Sequence, residues 1–403
     1  MKTTRTYDKA GQVELNELPG IIWLASWYPS LTSPTNGDFI QRHAVALSEK
    51  TPVLVIHTIH DSKSSSHVRY EVSRYGGLTE IIIFFRHSGD TSSFIGKLSY
   101  NRLFYRYTHE LLDHLFMTYG KPECLHVHVP MKMGRVAIRA GRKWNLPYVV
   151  SEQSSKYLPG IEDGYDNRSW FYRYSVRQVF AKALAVSNVS AALGWIIGKL
   201  AGREDVKVIR NVADPSVFHY KPTEISPFTF IHASTLKSQK NIVGILNAFN
   251  ELFNERQDFK LVVLGGDEDE LSILRQQFGN APWLELEGTV EHDQVAGYMQ
   301  MANCLVMFSR DENFPCVIVE ALCCGLPVIS SDAGGCPEAI NEDNGILVRS
   351  GHEDELLAAA RYMIKNFSRY DQQEIAKQAA AQYGNEQIAL DFISFYRNAG
   401  IRI

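Results

Sequence analysis

Cysteine is scarce in this chain of 403 residues: there are six, at positions 124, 304, 316, 323, 324 and 336. They form no CxxC pair and no His/Cys spacing of a zinc site, which excludes a disulfide framework or zinc module and leaves reduced, buried thiols acting as small hydrophobes. Long apolar runs are also lacking. The richest stretch, Val186 to Gly198, is broken by Ser187, Asn188 and Ser190 and falls short of the roughly 18 residues that cross a bilayer. The first twenty residues are polar, without the apolar segment of a signal peptide, so a cytoplasmic protein is expected, at most peripheral on the inner face of a membrane. GxGxxG does not follow the first candidate strand, and Gly194 to Lys199 has neither the spacing nor the hydroxyl residue of a Walker A loop. HExxH and GxSxG are absent too, and most hydrolase and dehydrogenase readings go with them.

What is present reads as globular: 45% hydrophobic and 21% charged residues, and a length suited to two or three domains at roughly 100 to 200 residues each. The net charge of −4 hides an asymmetry. Residues 1–210 carry 27 Lys and Arg against 18 Asp and Glu, a net of +9, and residues 211–403 carry 14 against 27, a net of −13. A basic half beside an acidic half points to anionic ligands near the first.

Short β-branched runs alternate with stretches of helical period. Strands are expected at 21–26, 53–59, 81–85, 124–129, 148–151, 184–187 and 206–209, with helices at 39–47, 102–117, 131–144 and 190–200. After Asn211-Val-Ala-Asp-Pro215 the pattern restarts, with strands at 228–233, 261–264, 284–288, 304–308, 327–330 and 346–348 and helices at 242–254, 270–277, 294–301, 317–324 and 354–365. Continuous hydrophobicity within the strands implies parallel sheets covered on both faces. Two tandem Rossmann-like doubly wound α/β domains are expected, 1–210 and 211–383, facing a cleft that is the default ligand site.

The segment Ser309-Arg-Asp-Glu-Asn-Phe-Pro-Cys-Val-Ile-Val-Glu320 carries the most chemistry. Glu312 falls just past a strand and Pro315 at a helix start, so Glu312 and Glu320 flank one helix N-terminus. The amides of Asn313, Phe314 and Cys316 would point into the same space, giving anion donors beside two carboxylates able to accept from vicinal hydroxyls. Hydroxyls plus phosphate describe a nucleotide sugar. Lys240, at the start of a helix, is a compact charge suited to a phosphate.

This Glu-x7-Glu pattern, with Gly325-Leu-Pro-Val-Ile, Gly334-Gly-Cys-Pro-Glu338 and Asn344-Gly-Ile-Leu-Val, resembles the retaining GT-B glycosyltransferases of family 4 (glycosyl transferases group 1). Val208-Ile-Arg-Asn-Val-Ala-Asp214 with Phe218, Ser234 to Asn241, Leu261 to Gly265 and Leu286 to Val290 extend the likeness, continuous over about 206–350 and patchy before it. The resemblance implies that Glu312 and the amides after it bind the donor sugar, Glu320 the ribose hydroxyls, Lys240 the diphosphate, and that the base lies near Gly288 and Val290. It also implies a UDP- or GDP-sugar donor, no metal or other cofactor, a hexosyl group moved with retention of anomeric configuration to a glycan or lipid-linked acceptor, use in cell-surface polysaccharide synthesis, and a terminal helix in 384–403 crossing back to the first domain. Two positions depart from the family: Thr235 stands where an Arg is usual, with Lys237 the nearest substitute, and Gln153 follows the strand at 148–151 where a His is common. A non-catalytic sugar-nucleotide binder, which these departures favour, and a sugar-nucleotide epimerase remain the alternatives.

In the first half, Asn36-Gly-Asp-Phe resembles the family's glycine-bearing first loop: Gly37 would let backbone approach the ligand closely and Asp38 would cap the next helix. His126 and His128 share one face of a strand, and His128 at its C-terminal end is a candidate for the acceptor side. Asp267-Glu-Asp-Glu270 looks like a DxD metal clamp, but its place after Gly265-Gly266 makes it a helix N-terminus whose acids cap and complement the dipole. The run 168–182 interleaves Arg168, Arg173 and Arg177 with aromatics on roughly one side of a helix, suited to an anionic acceptor or membrane headgroups. A pI near 6.4 and the lack of a binding motif argue against nucleic acid.

Overall fold

The computed structural model describes residues 2–159, 161–279 and 281–403, which divide into two compact units: Met1–Val189 with Gly194–Ile209 and Ile388–Ile403, and Ser190–Leu193 with Arg210–Gln387. In the first unit, Ile21-Ile-Trp-Leu-Ala25 and Cys124-Leu-His-Val-His128 are buried at every position, as strands flanked on both faces must be. Its strands are β1 (Thr3–Tyr7), β2 (Ile21–Ala25), β3 (Val53–His60), β4 (Val68–Tyr75), β5 (Leu78–Phe85), β6 (Cys124–His128), β7 (Tyr148–Glu152), β8 (Val186–Asn188) and β9 (Val206–Val208), hydrogen-bonded in the order β1-β4-β5-β3-β2-β6-β7-β8-β9. From β5 to β9 all pairings are parallel, and the order reverses between β2 and β6. Helices α1 (Asp38–Ser48), α2 (Phe94–Tyr119), α3 (Lys132–Trp144), α4 (Trp170–Lys182) and α5 (Ala191–Ala201) connect them.

The antiparallel pair β1 and β4 at one edge was not expected from the sequence. Val68-Arg-Tyr-Glu-Val-Ser alternates, so Tyr70 and Val72 are buried while Arg69, Glu71 and Ser73 face partly outward. That alternation is the signature of an antiparallel strand with one face toward solvent rather than the continuous run of a strand covered on both faces.

The second unit holds β10 (Phe228–Ala233), β11 (Phe259–Leu264), β12 (Leu284–Gly288), β13 (Cys304–Met307), β14 (Val328–Ser331) and β15 (Gly345–Val348), all parallel, in the order β12-β11-β10-β13-β14-β15. Counted within the unit this is 3-2-1-4-5-6, the doubly wound order whose switch point lies between its first and fourth strands, here β10 and β13. Its helices are α6 (Ile242–Glu255), α7 (Glu268–Phe278), α8 (His292–Gln300), α9 (Cys316–Cys323), α10 (Glu353–Asn366) and α11 (Gln372–Tyr383). The last helix, α12 (Asn385–Asn398), supplies Phe392, Phe395 and Tyr396 to the core of the first unit. There the Trp23 Nε1–H donates to Tyr396 Oη at 3.0 Å, and that oxygen lies 2.6 Å from His126 Nδ1.

Among the described residues no helix is long and apolar enough to cross a membrane. All six cysteines are free thiols, five of them buried.

Candidate functional site

The site of the second unit is built from the loops that leave β10 and β13, at the C-terminal ends of the two strands flanking the switch point. After β10 the chain turns through Ser234 to Asn241. Gly265, just past β11, allows this turn: at φ +109° a Cβ there would sit 1.7 Å from the Ser234 carbonyl oxygen. The turn is also anchored by buried His232. Its Nδ1 faces the Val306 carbonyl at 2.8 Å, which only accepts, so Nδ1 carries the proton and Nε2 accepts from Ser234 Oγ, also at 2.8 Å. Burial holds the His232 ring down at about 4, keeping this tautomer uncharged at neutral pH.

The turn delivers Lys240, whose Nζ donates to Glu312 Oε1. The same oxygen accepts from Ser309 Oγ at 2.8 Å. Both partners of the ion pair are largely withdrawn from water, with 16% of the lysine side chain and 9% of the glutamate exposed. Glu312 lies in the loop after β13, which the Gly334-Gly335 pair supports: side chains there would run into the backbone oxygens of Glu312 and Asn313. Within the loop the Phe314 side chain is buried near Tyr383, and its carbonyl accepts from Asn211 Nδ2 at 2.5 Å. Pro315 is the N-cap of α9, whose first residue is Cys316. In the second turn Glu320 is 4% exposed, with Oε1 2.8 Å from Nε2 of the half-exposed His292.

Gly288 and Val290 end the β12 side of the unit. Gly288, at φ +69°, accepts from the Gly265 amide at 2.5 Å and so ties the end of β12 to the glycine that shapes the Lys240 turn. Thr235 and Lys237 are exposed on that turn. The structure thus brings Lys240 and Glu312 into contact. Sequence reasoning passed over His232 and His292 and quoted Ser309 and Glu338 within motifs without giving either a role; Glu338 accepts from the Ala191 and Ala192 amides at the start of α5, at 3.0 and 3.1 Å.

Asp267 is the N-cap of α7, with a reciprocal capping box to Glu270, which accounts for the Asp-Glu-Asp-Glu run as helix chemistry. Among the described residues no group of three or more His, Cys, Asp or Glu is arranged to hold a metal ion.

In the first unit the expected roles shift. Gly37, not Asp38, is the N-cap of α1, at φ +74°. A Cβ at Gly37 would lie 2.6 Å from the Trp27 carbonyl carbon, so the close approach it permits is to its own chain, while Asp38 pairs with Arg42 one turn on. His128 does not reach the surface: it is fully buried, its ring centre 3.9 Å from that of Trp23 and 4.1 Å from that of His126, because Trp23 and Phe392 of α12 close over the strand end. Gln153 Nε2 is 2.9 Å from His43 Nδ1. Beside it Glu152 is buried, and desolvation pushes its carboxyl up to about 7 against the downward pull of the Ser154 and Gln153 amides. Arg168 precedes α4 rather than sharing its face, and pairs with Asp163 at 2.7 Å. Arg177 Nε donates to Tyr165 Oη, and that hydroxyl donates to the Arg173 carbonyl. The arginines proposed to meet an acceptor are in part spent on their own loop.

Two doubly wound units of this kind, the second with its charged pair at the switch point, are those of a GT-B glycosyltransferase. Sucrose-phosphate synthase from Thermosynechococcus elongatus superposes with a TM-score of 0.73 at 17% identity, covering 94% of this chain and 98% of that one. Anabaena HepE in complex with UDP gives 0.69 at 18%, covering 94% and 99%. Residues 221–382 match the family model described as glycosyl transferases group 1. The D-inositol 3-phosphate glycosyltransferase 1 of Catenulispora acidiphila is 31% identical over 308 residues, 70% of this chain and 73% of its own length. The putative teichuronic acid biosynthesis glycosyltransferase TuaC of Bacillus subtilis is 22% identical over 400 residues, 92% and 94% of the two chains. With the N-acetyl-alpha-D-glucosaminyl L-malate synthase of Bacillus anthracis, 26% identical over 209 residues, the match spans 48% of this chain and about half, 54%, of the relative's length. The chain belongs to the glycosyl transferases group 1 family.

Proposed function

We propose that the protein transfers a hexosyl group from a UDP- or GDP-sugar to a glycan or lipid-linked acceptor, without a metal and with retention of anomeric configuration, in cytoplasmic synthesis of a surface polysaccharide or glycoconjugate. The observation that carries this reading is the buried Glu312 carboxylate, oriented by Lys240 and Ser309 beside the switch point. On donor entry Lys240 exchanges Glu312 for the diphosphate, and Glu312 turns its oxygens to the sugar hydroxyls. Glu320, pinned by His292, accepts from the ribose. The leaving diphosphate receives the acceptor proton, so no separate titrating base is required. HepE, of the same fold, has been solved with UDP and with UDP-glucose, which supports a nucleotide-sugar donor here.

Purified protein given a panel of nucleotide sugars and acceptors should release nucleotide in excess EDTA, and NMR of the product should show the donor's anomeric configuration. An inverted anomer, or turnover only with Mn²⁺ or Mg²⁺, overturns the mechanism. Nucleotide release without a glycosylated product, or binding without release, favours the epimerase or the non-catalytic reading.

The ribose contact makes a separate prediction. Glu320→Gln removes a charged acceptor and should weaken nucleotide binding by about 1.5–3 kcal/mol, the usual worth of a hydrogen bond to an ionised group. His292→Ala should act in the same direction and less strongly. Calorimetry showing wild-type nucleotide affinity in Glu320→Gln removes Glu320 from the site.

A further inference from the structure

Helix α3 reads Lys132-Met-Gly-Arg-Val-Ala-Ile-Arg-Ala-Gly-Arg-Lys-Trp144, five cations and no acid. Arg135, Arg139 and Arg142 are exposed and spaced four and three residues apart, so they line one stripe of the helix. With Lys143, and with Tyr105 and His109 one turn apart on α2, they line a groove of about 580 Å³ that has no carboxylate in its wall.

The nearby acids are already engaged. Asp113 accepts from Lys143 at 2.7 Å and from Trp144 Nε1 at 3.0 Å, and Glu110 holds Arg106 at 2.7 Å. Among the described residues Arg139 and Arg142 have no ion-pair partner. Arg135 lies 5.7 Å from the Tyr105 ring and 5.3 Å from that of Phe171 on α4, a geometry that fixes its position without neutralising it.

Local helix physics does not explain this stripe. The helix dipole favours Arg142 and Lys143 in the last turn, but it disfavours Arg135 near the start, and like charges three and four residues apart repel. The field of the groove reaches His109, whose ring is held down at about 4, first by burial and next by Arg139. A side-chain choice that local helix physics disfavours, gathered around a cavity, is the kind of conflict expected at a functional site. Guanidinium groups offer paired N–H donors in the spacing of phosphate oxygens.

We propose that the groove between α2 and α3 binds a phosphate group, carried by a soluble anion or by a lipid headgroup, through Arg135, Arg139 and Arg142. The site belongs to the first unit and does not depend on the donor chemistry assigned to the second. Trp170, Phe171 and Tyr174 stand 73%, 49% and 56% exposed at the start of α4, joined to the groove through the Arg135–Phe171 contact, and would add to binding only when the phosphate sits at a membrane surface.

The test compares the wild type, Arg139→Gln/Arg142→Gln, and a control that removes the same charge from exposed positions of the second unit, Lys221→Gln/Lys365→Gln. Each is titrated with inorganic pyrophosphate by calorimetry and with phosphatidylcholine vesicles with and without phosphatidylglycerol by sedimentation. Pyrophosphate can also enter the second unit, so the readout is the component lost in the variant. The arginine variant should lose at least tenfold in affinity for one probe or both, with its thermal midpoint unchanged or raised because repulsion is relieved, while the control binds as the wild type does. Loss confined to pyrophosphate identifies a soluble ligand; loss confined to anionic vesicles identifies a lipid headgroup. Equal binding by wild type and arginine variant for both probes, or an equal loss in the control, overturns the site.

Discussion

Lys240→Met alone is expected to destabilise the second unit by about 3–5 kcal/mol, because it leaves the Glu312 carboxylate charged and largely buried with Ser309 as its remaining side-chain donor. Glu312→Leu alone should cost a similar amount for the mirrored reason. The double variant Lys240→Met/Glu312→Leu removes both charges and should recover most of that loss, giving a coupling energy of several kcal/mol in a double-mutant cycle. Turnover should be absent in all three proteins. The cycle therefore separates two roles that a single variant confounds: the pair's contribution to the fold returns in the double variant, and its contribution to transfer does not. Urea unfolding of the second unit together with nucleotide release gives both readings. Single variants that cost under about 1 kcal/mol would mean the pair is open in solution, and turnover by the double variant would remove both residues from the reaction.

Acid should unfold the first unit before the second. His57, His126 and His128 are buried in the first unit, and desolvation is the leading cause of each ring's lowered pKa: His57 to about 4, His126 and His128 well below the ordinary value. A histidine held below its unfolded value of 6.5 binds fewer protons when folded, so its contribution is whole above pH 6.5 and is lost as pH falls toward 4. For His57 alone a shift from 6.5 to about 4 corresponds to about 3 kcal/mol at the acid end. Glu152 acts in the opposite sense: its folded value of about 7 exceeds the unfolded 4.5, so it costs stability above pH 7 and returns it as pH falls to 4.5. His109 of α2, held down to about 4 first by burial, adds a fourth histidine of the same sign. One carboxyl offsets one histidine, and three remain unopposed. The second unit has His232, with the same sign and about the same size as His57. Hydrogen exchange followed by mass spectrometry between pH 7 and 4 should show β2, β3 and β6 losing protection at a higher pH than β10 and β13. The reverse order would contradict this account.

The sequence displayed the central parallel strands because they are continuous apolar runs that only a two-sided sheet can bury, as in Ile21–Ala25 and Cys304–Met307. It displayed Glu312, Glu320 and Lys240 because their spacing from strand ends and from Pro315 fixes which end of the sheet they occupy. Partnerships across the sheet were not legible. Nothing local to His292 shows that its ring meets Glu320 twenty-eight residues later, or that Lys240 closes on a carboxylate seventy-two residues away. His128 was misplaced for the same reason: the side chain that covers it, Phe392, comes from α12. The antiparallel strand β4 was legible in its alternation, which a search for continuous runs passes over.

The Trp23 to Tyr396 hydrogen bond joins residues 373 positions apart. On a ribosome adding roughly 5–20 residues each second, Trp23 waits about 20–75 s for its partner to be made. All six strands of β10 to β15 emerge within that interval, so the second unit can bury its core while the first still shows the indole of Trp23 and the imidazoles of His126 and His128 to solvent or to any chaperone. The unit begun first is the one completed last, and premature termination anywhere before Ile388 would deny it that completion.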